Sequence, residues 1–392
     1  MRLLTTTMAV LALAGSGAAR AEALRLNQIQ VIGTHNSYSQ PADPRVFAVM
    51  NPRIQPMMDG MMKMMPPEMA ATFADEHPNP IATNLQGGLE YIHLPITGQL
   101  RAGLRSLEFD LNVDKQGGKF LEPWAYRLLK AQGETDLAPL YTEALSQPGL
   151  KVLHMADIDF RSSCPTFRLC LQELRAWSES EPGHSPVFIL LEPKFQSVTG
   201  YVGGTQMEPF DAAAFEEIDR DIFQVLGRDR VITPDAVRGD HPTLEAAVKA
   251  GDWPTLEAAR GRFVFLMLVP GMNLGAFAPY LEGRPNLEGR AAFVQGEPGM
   301  GHTAFVMLDN ALTRAEEIKA RVADGYLVRT RSDIDTAEAR NNDVTRRDAA
   351  LASGAQIVST DYPWAPNIFG NGYEVSPFPD GYRVSPAFEG AR

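Results

Sequence analysis

Eight short apolar segments, helix-like stretches between them, and polar residues gathered where the segments end predict an α/β chain folded as a single-domain, TIM-type (β/α)8 barrel. The segments run over 29–34, 106–113, 151–156, 187–192, 263–268, 304–308, 326–330 and 356–360. Several, such as Phe-Val-Phe-Leu-Met-Leu at 263–268, are almost continuously apolar, as parallel strands buried on both faces require. Helical patterns cover 97–104, 166–179, 210–226, 244–259 and 336–352, so strand and helix alternate. His35 with Asn36, Glu108 with Asp110, His154, Glu192 with Lys194, Asp309, Arg329 with Arg331, and Asp361 close seven of the eight strands. One charged residue ending a strand means little; a ring of them marks the end of a barrel where chemistry is done.

The elements follow in chain order. Residues 1–21 read as a secretory leader, with Arg2, an apolar run over 8–13 and the small-x-small site Ala19-Arg20-Ala21. That run is too short to span a bilayer, and no later stretch approaches the ~20 residues required. The catalytic domain is therefore expected over 22–392, secreted or periplasmic, monomeric and without a transmembrane anchor. Without Arg2 and Arg20, 34 basic residues face 48 acidic ones, a net charge of −14. This balance disfavours nucleic acid, whose binding rests on Lys and Arg. It also gives no polybasic patch for anionic lipid, so any lipid contact has to come from apolar surface or bound metal.

After the first strand comes an insertion, 45–94, rich in methionine. Met57, Met61, Met65 and Met69 are spaced as one helical stripe. The simpler reading packs adaptable Met side chains onto the barrel; the functional one makes a flexible apolar rim for acyl chains, with a copper tract a distant third. Cys164 and Cys170 form an even, closely spaced pair, read as a local disulfide in an exported protein. A metal site would need more soft ligands nearby. A second insertion, roughly 195–225, reads as a mobile lid after the fourth strand.

The chemistry centres on 106–113, Ser-Leu-Glu-Phe-Asp-Leu-Asn-Val. Its period of two puts Glu108 and Asp110 side by side on one face. Two such carboxylates repel unless a cation or protonation compensates, and calcium or magnesium with oxygen ligands is the natural compensation. Glu192, ending five apolar residues, is costly to bury unpaired, and Asn36 offers a neutral amide oxygen. These four leave the rest of a calcium shell to water and substrate; magnesium demands tighter geometry. His35 and His154 are candidate acid–base groups, with Asp157 and Asp159 near enough in sequence to His154 to orient it. Taken alone, the His35–Asn36 pair reads more simply as a satisfied imidazole and a turn residue, and for His154 a core histidine bonded to backbone is at least as good a reading.

In this order, G-T-H-N-S, L-E-F-D-L, V-L-H and L-L-E-P-K resemble the catalytic barrel of calcium-dependent phosphoinositide-specific phospholipase C, above all its secreted bacterial branch. The stretches Val328-Arg-Thr-Arg-Ser-Asp-Ile-Asp335, Arg346-Arg-Asp-Ala-Ala-Leu-Ala-Ser-Gly354 and Ile357-Val-Ser-Thr-Asp-Tyr-Pro363 are similar to that branch too. The resemblance spans most of 28–365. It implies His35 as the base that deprotonates an inositol 2-hydroxyl and His154 as the acid assisting the diacylglycerol leaving oxygen. It also implies Asn36, Glu108, Asp110 and Glu192 as ligands of one Ca2+ ion, with a phosphoinositide lipid at a membrane or micelle surface as partner. Lys194, Arg329 and Arg331 lie at the same rim and are added as phosphate or headgroup contacts, with barrel-end salt bridges as the equal alternative. Asp361 reads as a turn cap in preference to a partner of a catalytic His, and Arg101 and Arg105 as surface. A glycerophosphodiester phosphodiesterase-like barrel is the runner-up, although it calls for His-Arg-Gly after the first strand, where this chain has His-Asn-Ser. A non-enzymatic barrel binding sugar or lipid predicts loss of a histidine or a ligand, and all are present.

Overall fold

Runs of buried, mostly apolar residues build the central strands of the computed structural model, which describes residues 23–76, 85–269 and 273–389. The expected leader, 1–21, lies outside them. Ten strands are present: β1 (Ile29–Thr34), β2 (Ser106–Asn112), β3 (Lys151–Val152), β4 (Val187–Pro193), β5 (Phe263–Met267), β6 (Ala292–Val294), β7 (Phe305–Asn310), β8 (Leu327–Arg331), β9 (Ile357–Thr360) and β10 (Arg383–Val384). Eight pair in the order β6-β5-β4-β2-β1-β9-β8-β7, all parallel. A parallel bridge between Gln295 and Phe305 joins β6 to β7, so the barrel closes.

Eight barrel strands are expected and eight are found, with one member exchanged. The segment 151–156 yields only β3, which pairs antiparallel with the end of β2 (Leu111 opposite Val152) and stands outside the barrel. The chain turns after Val152, and Met155 bridges to Asp159, which lifts His154 out of regular structure. The missing barrel position is filled by β6. Its three residues lie between Arg290 and Gln295, too brief for any periodicity to register.

Caps set where helices begin. Thr166 and Asp211 accept from the backbone of Leu169 and Ala214 at the starts of Phe167–Ser180 and Ala212–Leu226. The stretch expected as one helix over 244–259 is two, Leu244–Lys249 and Leu256–Ala259, each with its own threonine cap. The 336–352 stretch likewise breaks at Asn342, which takes a left-handed φ of 52°. Helix Ala311–Ala323, capped by Asn310, was not anticipated.

Both insertions differ from their sequence readings. Helix Pro44–Met64 buries Val46, Phe47, Met50 and Ile54 against Tyr126 and Leu129 of helix Trp124–Ala131. Met57 and Met58 still touch that cluster, but Met61 and Met64 are 46% and 80% exposed. The helix ends at Met64, before Pro66 and Pro67, and a new one begins at Pro67. The 57–69 spacing therefore crosses a break and makes no single stripe, although the first helix itself carries Pro52 and Pro56. The second insertion is part helix and part anchored loop. From residue 212 it is barrel helix with Phe215, Ile218 and Ile222 buried, and its loop is pinned by the buried Asp157. That carboxylate accepts from Thr199 Oγ1 (2.5 Å), Thr205 N (2.7 Å), Thr205 Oγ1 (2.8 Å) and Trp124 N (2.7 Å).

One glycine decides how closely β1 approaches β2. A Cβ on Gly33 would lie 2.3 Å from Ser106 Cβ and 2.4 Å from its carbonyl oxygen, which backbone cannot relieve. Just beyond, Ser37 N donates to Glu108 O (3.1 Å) and Ser37 Oγ accepts from Glu108 N (2.8 Å). The G-T-H-N-S motif is thus a clamp that sets His35 and Asn36 beside β2. Gly33→Ala is expected to destabilise the fold by about 3 kcal/mol through overpacking, read as a lower urea midpoint at unchanged slope.

Candidate active site

Strand geometry assembles the acids. Glu108 and Asp110 share a face of β2, and Asp110 lies directly opposite Glu192 in the β2–β4 register. One carboxylate oxygen from each of Glu108, Asp110 and Glu192 lies within 4.8 Å of the others. Burial pushes the Glu108 carboxyl up to about 7, with Arg329 opposing the rise and Asp110 and Glu192 adding to it. Burial also raises Glu192, against Lys194 and with Asp110. The Lys194 ammonium reaches Glu192 Oε1 and lies 2.9 Å from Asp110 Oδ2. Burial works against its charge, yet these two acids hold it above its ordinary value. Asp110 Oδ1 is buried with no aligned hydrogen-bond donor.

Asn36 completes this group. It sits past the end of β1 with a φ of 43°, in the left-handed region that asparagine tolerates. Its Nδ2 donates to Tyr91 Oη at 2.8 Å, and its Oδ1 lies 3.4 Å from the Tyr38 hydroxyl. Burial and the Asp110 charge both raise that same hydroxyl, so Asn36 Oδ1 and the acids lie about one spot. An all-oxygen donor set with surplus negative charge and an orphaned buried oxygen fits a hard divalent cation.

Two imidazoles flank the acids, ring centres 6.4 Å apart. His35 Nδ1 donates to Asp361 Oδ1 (3.2 Å), and His154 Nδ1 donates to Asp159 Oδ2 (3.0 Å). A carboxylate at Nδ1 fixes the tautomer and leaves Nε2 for chemistry on both rings. Burial and the Arg331 charge lower His35 to about 4 against the pull of Asp361, so the ring is neutral near pH 7. Burial works to raise Asp361, but His35, His93 and Arg331 hold it far below the usual carboxylate range. Asp361 is therefore a partner of His35, not merely a turn cap.

The barrel gathers His35, His154, Asn36, Glu108, Asp110, Glu192 and Lys194 at one end. Beside them opens a cleft of about 340 Å³, lined by the polar His154, Glu192 and Lys194 and the apolar Met155, Phe195 and Met207. Arg329 and Arg331 are drawn into ion pairs instead of facing the cleft. Arg329 donates to both oxygens of Asp309 (2.5 Å each) and to Glu108 (3.1 Å), and Arg331 to Asp361 Oδ2 (3.1 Å). Both thus make barrel-end salt bridges. Asp159 orients His154, whereas Asp157 holds the loop after β4. Sequence reasoning missed Tyr91 and His93 altogether; His93 is a lone imidazole between Ile92 and Leu94 with no motif around it. Cys164 and Cys170 form the expected disulfide, with Cα atoms 5.2 Å apart. Among the described residues, no helix is long and apolar enough to cross a membrane.

Residues 24–386 match the family profile described as phosphoinositide phospholipase C, Ca2+-dependent. Among solved structures, the apo form of a calcium-dependent phosphoinositol-specific phospholipase C from the Gram-negative bacterium Pseudomonas sp. is similar at TM-score 0.50 and 12% identity, over 92% of this chain and 95% of that one. A Ca2+-dependent phosphatidylinositol-specific phospholipase C from Streptomyces antibioticus gives TM-score 0.49 at 18% identity, over 86% and 95%. The phosphatidylinositol-specific phospholipase C of Listeria monocytogenes gives 0.44 at 13%, over 88% and 92%. At these identities the first likeness supports the barrel fold. No curated protein matches.

Proposed function

The chain belongs to the Ca2+-dependent phosphoinositide phospholipase C family, a family of phosphoric diester hydrolases, and from that premise we propose how its residues divide the work. One calcium ion is held by Asn36, Glu108, Asp110 and Glu192; His35 is the general base and His154 the general acid. The observation that carries this reading is the convergence of three buried carboxylates on one point beside two aspartate-oriented imidazoles.

His35 Nε2 takes the proton of the inositol 2-hydroxyl, and that oxygen forms a bond to phosphorus. The bond from phosphorus to the glycerol oxygen breaks, and the leaving oxygen receives the Nε2 proton of His154. The products are diacylglycerol and a cyclic inositol phosphate. Asp361 keeps neutral His35 in the Nδ1–H tautomer that leaves Nε2 free to accept, whereas His154 enters the step as an imidazolium protonated on both nitrogens, its Nδ1–H on Asp159, which offsets the charge. Lys194, which pairs with Asp110 and Glu192 at the same site, would be within the reach of a phosphate oxygen were a cation to take up those acids' charge. Calcium, when bound, supplies Lewis-acid polarisation of the phosphate and hydroxyl oxygens. The leader-like residues 1–21 and the Cys164–Cys170 disulfide support export. Ile92 and Leu94, 49% and 44% exposed, offer apolar contact with lipid. Family membership sets aside the glycerophosphodiester reading.

Phosphatidylinositol vesicles test this directly. Water-soluble inositol phosphate is expected in calcium and not after chelation; no turnover in calcium, or turnover indifferent to chelator, defeats the proposal. Calcium at a hundred times its Kd is also expected to add about 2.7 kcal/mol of stability. For a domain this large that is a rise in Tm of about 5 °C, measured by calorimetry with and without chelator.

A further inference from the structure

The return limb of the Met-rich insertion runs into the active site. Over 90–94, Glu-Tyr-Ile-His-Leu, side chains alternate: Tyr91 and His93 point inward and are buried, while Ile92 and Leu94 face out. The limb is fastened along its length. Gly87 O accepts from Thr336 Oγ1 (2.6 Å) and Arg340 Nη2 (3.1 Å), Glu90 O from Tyr362 Oη (2.9 Å), and Leu94 O from Gln99 Nε2 (2.6 Å).

Its two inward residues touch the two halves of the proposed machinery. Tyr91 Oη accepts from Asn36 Nδ2 at 2.8 Å. An amide whose nitrogen is engaged on one side presents its oxygen on the other, here toward Tyr38 and the acids. Flipped, Asn36 would aim an N–H₂ at the cation position. His93 Nε2 donates to the backbone oxygen of His35 at 2.9 Å and lies 3.6 Å from Asp361 Oδ1, the oxygen that also receives His35 Nδ1. Among the described residues His93 Nδ1 has no hydrogen-bond partner, and the polar contacts of the ring run through Nε2. The Tyr91 ring stands between the two imidazoles, its centre 5.4 Å from His93 and 5.9 Å from His35.

We propose that Tyr91 and His93 are positioning residues: Tyr91 sets the Asn36 amide for the cation, and His93 holds His35 in register with Asp361. The insertion is then part of the active site rather than an ornament on its rim. This rests on reading Asn36 as a ligand and His35 as the base.

Tyr91→Phe keeps the ring and removes the acceptor. Partners that orient ligands typically contribute 10–100-fold, so calorimetric titration with calcium chloride alone is expected to show Kd raised about tenfold. In an Asn36→Ala background the same change is expected to leave calcium affinity where Asn36→Ala put it. His93→Phe is expected to lower kcat on phosphatidylinositol vesicles at saturating calcium by about 100-fold, with KM and calcium Kd little changed. His93→Gln, which restores a donor, is expected to recover about tenfold of that loss. Each variant is assayed well below its own melting temperature, so a loss of stability does not mimic a loss of function. Wild-type calcium affinity in Tyr91→Phe, additive effects with Asn36→Ala, or equal kcat in the two His93 variants would overturn the proposal while leaving the cation site standing. A wild-type protein that binds no calcium would bring down the cation reading itself, and this inference with it.

Discussion

His35→Ala and His154→Ala are each expected to lower kcat on phosphatidylinositol vesicles by about 10²–10⁴-fold, the usual contribution of a positioned acid or base. The fold should survive both changes, because each ring keeps an exposed edge, with side chains 17% and 19% exposed. Each donates its Nδ1–H to one carboxylate, which leaves Nε2 free of that contact. Base and acid serve one displacement, so the double variant is expected to fall well short of the product of the single losses. The pH profile carries a sign. A base held at about 4 by burial and Arg331 is competent above that value, and a nearby cation lowers it further. The acid limb of kcat/KM assigned to His35 should therefore lie below the 6.5 of an ordinary imidazole. An acid limb at or above 6.5 that survives in Asp361→Asn would count against His35 as base.

Asp110→Asn is expected to abolish calcium-dependent turnover and weaken calcium binding by more than about 100-fold, since it removes a ligand rather than a ligand's partner. Asp110 is the most exacting of the three acids. It is buried, shares its face with Glu108 and its register with Glu192, and keeps one oxygen without an aligned donor. The same substitution has the opposite effect on the metal-free fold. Glu108 is pushed from 4.5 to about 7 in the folded state, and Asp110 is one of the causes. A carboxyl raised on folding favours the protonated form, so stability from this group falls as pH rises from 4.5 to about 7. Removing the Asp110 charge eases that loss. Thermal melts in chelator should show Asp110→Asn at least as stable as wild type near pH 7, with the calcium-induced rise gone. A large destabilisation in chelator would mean that Asp110 is held for the fold and not for a cation.

The fate of individual residues shows which physical signals a linear sequence carries. Glu108 and Asp110 were legible because strand period and burial are local: two acids alternating with apolar residues must emerge on one face. Their meeting with Glu192 followed from the barrel rule that strand ends converge. Arg329 and Arg331 were placed at the same rim, but whether they face a ligand or an acid depended on Asp309 and Asp361, which only register brings opposite them. Asp361 itself read as a turn until His35 came within reach.

By itself, the sequence determined that alternating apolar strands and helices make a barrel, and that acids, an amide and two imidazoles gather at one end of it. Tertiary structure alone decided that 151–156 leaves the barrel, that β6 takes its place, and that Tyr91 and His93 stand behind the base and the amide. The division has a physical reason. Periodicity and strand ends are fixed by neighbours along the chain, whereas a hydrogen bond between Tyr91 and Asn36, 55 residues apart, exists only once the fold has brought them together.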